Sequence, residues 1–131
     1  MGMVTFVDET TSGARRDAWG LEIAEERLSV RELIRRRVFQ EVAEYNARRS
    51  GEFRGLVQPT DTERMLNGCY TLRTPRRIDP EQQAELALTA FGRNGFLVLV
   101  GDRQVEELDA EVDLPLGTEV VFLKLVPLVG G

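Results

Sequence analysis

Thr118-Glu119-Val120-Val121-Phe122-Leu123-Lys124-Leu125-Val126-Pro127-Leu128-Val129-Gly130-Gly131 decides how this chain is read. A β-branched, apolar run predicts a strand over 118–126, and Pro127 ends it because proline cannot donate to a ladder. A Gly-Gly pair follows. Glycine lacks a Cβ, so such a tail can thread a channel too narrow for any other pair. An enzyme that must bring a carboxylate to ATP needs a tail of that kind. At ordinary glycine usage of about 7%, a terminal pair arises by chance in roughly one chain in two hundred. Its weight therefore comes from what precedes it.

Working outward, the strand is apolar on both faces. Val120 and Phe122 alternate with Val121, Leu123 and Leu125. Upstream, Phe96–Val100 is a continuous apolar strand, Gly101-Asp102 a turn, and 104–106 a short return. Pro115 and Gly117 mark 107–117 as a loop. At the other end, 3–8 and 19–25 read as an opening hairpin. Ser29 and Glu32 form a capping box, which predicts a helix over Val30–Arg48. Its apolar stripe is Val30, Leu33, Ile34, Val38, Val42 and Tyr45. The interleaved Arg35, Arg36, Arg37, Arg48 and Arg49 read as a solvated face.

Between these lies a long insert, 50–95. Glycines and prolines break 50–78, with short strands expected at 53–57 and 69–73. Asp79-Pro80-Glu81-Gln82 opens a second helix, with Asp79 as N-cap and Pro80 at the first helical position. Asn94-Gly95 ends it.

Composition bounds the function. One domain, 1–131, with the insert between first helix and third strand, is expected from the length. Histidine is absent and Cys69 is the only cysteine, so neither a Cys/His zinc site nor a Ser-His or Cys-His pair can be built. No disulfide can form within the chain, which fits a reducing cytoplasm. A net charge of −5 argues against nucleic acid as partner. No apolar run approaches the ~20 residues that span a bilayer. Of 17 basic residues only Lys124 is lysine. Asp79, Glu81, Asp102 and Glu119 read as caps, turns or surface rather than as acid–base catalysts.

Three stretches resemble the ubiquitin-like β-grasp superfamily, above all its sulfur carriers (the molybdopterin-synthase small subunit and the thiamine sulfur carrier). Leu97–Val105 is similar to the family's strand-turn-strand. Leu114-Pro115-Leu116-Gly117-Thr118-Glu119-Val120 is similar to its proline loop and strand start. Pro127-Leu128-Val129-Gly130-Gly131 is similar to its diglycine ending. Departing from the family, about 45 residues separate the first helix from the third strand, and Lys124-Leu125 lengthens the last strand. Both suit a bacterial ubiquitin-like protein with partners of its own.

The resemblance implies an α+β fold, a mixed sheet with one main helix across a face. Leu21, Ile23, Val30, Leu33, Ile34, Val38, Leu97, Leu99, Val120 and Phe122 are then expected inside. It implies that Gly131, preceded by Gly130, is adenylated by an E1-like enzyme using ATP. The product is a thiocarboxylate, or a thioester passed to an amine by an E2-like enzyme and reversed by a deconjugating protease. The chain is then a monomeric substrate or carrier, not a catalyst, and binds no cofactor or metal itself. Val121, Leu123, Leu125 and Val129 are expected to contact the activating partner, unless the insert folds over that face as extra core. The alternative function is a non-conjugated β-grasp module that docks on a larger enzyme or ATPase.

Overall fold

The computed structural model describes residues 2–13, 15–48, 52–60, 62–64, 69–72 and 76–125. It is α+β, with a mixed five-stranded sheet and two helices. The chain forms two compact units, one of residues 1–30 and 91–131, the other of residues 31–90.

The first unit is built on strands β1 (Gly2–Thr10), β2 (Arg15–Ile23), β7 (Phe96–Val100), β8 (Arg103–Val105) and β10 (Glu119–Lys124). Their order in the sheet is β2-β1-β10-β7-β8. The expected final strand is thus central. It runs parallel to β1, with Phe6 opposite Val120, and antiparallel to β7, with Phe122 opposite Val98. Hairpins add β2 and β8 at the edges. Gly101 and Asp102 both take positive φ (56° and 66°), the backbone that a two-residue hairpin turn requires. Gly117, at φ 85°, occupies the position in the Pro115–Thr118 turn that favours glycine, and the turn closes through a 3.0–3.2 Å class bond, Thr118 N–H to Pro115 O at 3.1 Å.

Cross-strand partners share a sheet face. Val4, Phe6, Phe96, Val98, Val120 and Phe122 share one and are at most 2% exposed. Phe122 packs edge-on against Phe6 with centroids 5.5 Å apart, and Phe96 lies 6.2 Å away. The expectation that Leu97 and Leu99 are core is corrected here: both are half-buried, and Phe96 and Val98 take the inner positions. Their register with β10 sets this parity, because Leu97 pairs with Leu123 and Leu99 with Val121. Leu21 is also half-buried, whereas Ile23 is inside as expected.

A second ribbon in this unit pairs β3 (Arg27–Ser29) with β9 (Glu111–Asp113), inside the stretch read as loop. Main-chain bonds from Val30 N–H to Ala110 O and from Leu114 N–H to Glu26 O bracket it.

The second unit holds most of helix α1 (Val30–Arg48), whose bounds match the expectation from its capping signal and stripe. All six stripe residues are buried. The insert is structured. Strands β4 (Glu52–Arg54), β5 (Thr62–Arg64) and β6 (Cys69–Leu72) form a sheet in the order β4-β6-β5. Helix α2 (Pro80–Gly92) begins where Asp79 accepts the Glu81 N–H at 3.0 Å, the N-cap bond expected of it. Phe53, Leu56, Tyr70, Leu72 and Leu88 are buried, and Tyr45 meets Phe53 edge-on at 5.8 Å.

The parity of β7 is testable by truncation. Phe122→Ala is expected to cost about 3–5 kcal/mol in urea unfolding, as a fully buried aromatic does. Leu97→Ala is expected to cost well under half of that. Equal losses would place Leu97 in the core.

Candidate functional site

Residues Val129, Gly130 and Gly131 lie outside the described residues, as does Pro127. What is described is the strand that carries the tail and the face beside it. Val121 and Leu123 project from the sheet face opposite Phe122 and are half-buried, and Leu125 is 43% exposed. The register adds two residues that the sequence reading had assigned to the core: Leu99 beside Val121 and Leu97 beside Leu123. The apolar face is therefore wider than the two β10 positions, Val121 and Leu123, alone. A signal for it existed, since Phe96–Val100 is apolar at every position and one of its two parities has to face outward.

Charges lie on this face beside the apolar positions of β10. Arg15 donates to Glu9 and to Glu119, each at 2.8 Å. Glu9 lies on β1 and Glu119 on β10, on the same face as the paired Val7 and Val121. One guanidinium bridging both carboxylates sits over the interval between them, and Val7 there is fully buried. The two hydrogen bonds, Glu119's first, hold the Arg15 guanidinium in its charged form above the usual range. Exposed pairs of this kind contribute little stability. Their effect here is placement: the bridge spans the Val7–Val121 pair, with Glu119 on one side of it and Glu9, the cross-strand partner of Leu123, on the other.

The second unit carries a cleft of about 730 Å³. Phe39, Val42, Ala43 and Ala47 of α1 form its apolar wall, and Arg77 and Asp79 its polar rim. Asn46 shapes it by a two-way bond to the Ile78 backbone, Nδ2 donating at 3.0 Å and Oδ1 accepting at 2.9 Å. Arg35 stacks over Phe39 at 5.1 Å and grips Glu81 with both terminal nitrogens at 3.1 and 3.0 Å. That hydrogen-bonded fork holds the Glu81 carboxyl below the ordinary range.

Arg37 corrects the reading of the α1 arginines as a solvated face. It is 1% exposed, and its Nε donates to Glu41 at 3.0 Å, itself 4% exposed. At 100° per residue, positions 37 and 41 fall in the middle of the arc spanned by Leu33, Ile34 and Val38. The i,i+4 spacing was legible, but charge type alone does not reveal which ion pairs are buried. By contrast, Arg36 pairs with Glu32 at 3.2 Å while half-buried, and Arg48 is exposed.

Among the described residues no group of three or more His, Cys, Asp or Glu is placed to hold a metal ion, and no helix is long and apolar enough to cross a membrane. Comparison with family models, with curated proteins and with solved structures gave no match.

Breaking the buried pair takes a carboxylate partner from a buried guanidinium. Glu41→Ala is expected to destabilise the protein by about 3–5 kcal/mol in denaturant unfolding, while the double change Arg37→Met with Glu41→Leu restores most of that. A neutral Glu41→Ala would show that Arg37 reaches solvent.

Proposed function

We propose that this chain is a β-grasp protein of the ubiquitin-like kind, activated at the Gly131 carboxylate by an ATP-dependent adenylating enzyme for conjugation or sulfur transfer in the cytoplasm. One observation carries the reading. The sheet order β2-β1-β10-β7-β8, with β1 and β10 parallel at its centre, is compatible with a β-grasp and supports this reading, and in the sequence the central strand is followed by the diglycine tail. A tail that leaves a central strand is held at its base by two neighbours, so a partner meets it at a fixed origin.

The apolar face supports the same reading. Leu97 and Leu123 are cross-strand partners on the outward sheet face, and Leu125 next along the chain is exposed, which supports a docking role for them. In this account Gly131 is the reacting group, Gly130 and Val129 fit the partner's channel, and Val121, Leu123 and Leu125 contact it. The chain is the substrate, ATP belongs to the E1-like partner, and an E2-like enzyme or a deconjugating protease acts downstream.

A second reading draws on a different observation. The insert builds its own sheet, a second helix and the cleft beside Phe39 and Arg77. Those features favour a module that docks on a larger enzyme and leaves its tail unused.

ATP–pyrophosphate exchange separates the two. With a cognate adenylating enzyme, exchange is expected with the native chain and is expected to be lost with Gly131 deleted or replaced in Gly131→Ala. Equal rates for native and deleted forms would remove the first reading and leave the docking module.

A further inference from the structure

We propose that this chain, once activated at Gly131, does not build chains on itself through Lys124: the accepting lysine belongs to another molecule. The inference rests on the reading above and deepens it. In the step concerned, ATP adenylates the Gly131 carboxylate with release of pyrophosphate. A neutral amine nitrogen then bonds to the carboxyl carbon, AMP leaves (directly or after an enzyme thiol has replaced it), and the nitrogen gives up a proton as the amide forms. Only a reachable primary amine can do this. An arginine guanidinium is delocalised and always protonated, and so does not serve.

Among the 131 residues, 16 of the 17 basic side chains are arginine. The exposed basic positions Arg27, Arg48, Arg54, Arg77 and Arg103 are all of this type. The single lysine, Lys124, sits in the central strand, between Thr10 of β1 and Phe96 of β7. Its carbonyl accepts the Thr11 N–H at 3.1 Å. Its side chain shares the sheet face of Val120 and Phe122 and is half-buried, whereas lysine is ordinarily among the most exposed of residues. Among the described residues the exposed cations thus carry no amine, and the one lysine of the sequence is half-buried in the central strand.

Trace acetylation of the intact chain with N-hydroxysuccinimidyl acetate, read by peptide mass spectrometry, tests the accessibility directly. The Arg103→Lys variant supplies an exposed reference amine in the same molecule. Lys124 is expected to react several-fold more slowly than the reference in the native protein, and at a matching rate in denaturant. Matching rates in the native protein would overturn the inference. This readout is independent of activation, so a failure of pyrophosphate exchange would count against the function and not be mistaken for this result. In a reconstituted reaction, Lys124→Arg is expected to leave the conjugate pattern unchanged. Disappearance of multi-copy conjugates on that substitution would also overturn the inference.

Discussion

The parallel pairing of the first strand with the last organises the sheet unit. Thr5 to Thr10 of β1 lie opposite Glu119 to Lys124 of β10, so the sheet closes only when the two ends of the chain have met. Such a long-range pairing carries the largest loop-closure entropy in the chain, and local turns do not repay it. The repayment comes from aromatic burial. Phe6 and Phe122 are brought edge to face across the pair, with Phe96 added from β7. The register that joins these rings also sets the parity of every other position on β10. Val121 and Leu123 then have to face the other way, with Leu99 and Leu97 beside them.

Much of this was legible in the residues. The capping box at Ser29, the periodic stripe and the loss of periodicity after Arg48 delimit α1, and Asp79-Pro80 marks the start of α2. These are local signals, set within a few residues by hydrogen bonding and backbone preference. What escaped was non-local. Phe96–Val100 has no polar position to show which side faces inward, so only its pairing with β10 could assign Phe96 and Val98 to the core. Glu111–Asp113 alternates charge with Val112 and reads as loop until Arg27–Ser29 is placed alongside it. β5 follows the same rule, since three residues become a strand only through β6.

The candidate site was legible in part. The tail and the outward parity of Val121 and Leu123 follow from the sequence of β10, and the contribution of Leu97 and Leu99 does not. Arg37 shows a different limit. Its burial depends on Glu41 one turn away and on the apolar arc around both; the partly exposed Arg36–Glu32 pair has the same i,i+4 spacing, and only position on the arc separates the two. Both cases have one physical cause. Burial belongs to the assembled surface, whereas patterning reports only what each element could present.

The account makes Gly131 the reacting atom's owner, and the chain's own composition gives a direct way to see it react. Trypsin cuts after Lys124, so any protein joined to the tail retains Leu125-Val126-Pro127-Leu128-Val129-Gly130-Gly131 on its acceptor amine. The decisive measurement is a search for that remnant, by tandem mass spectrometry, in tryptic digests of the cells that make the protein. The account predicts lysines of other proteins bearing the remnant, or the free C-terminal peptide carrying a thiocarboxylate. Recovery of that peptide solely as the ordinary carboxylic acid, with the adenylating enzyme present and active, would contradict it.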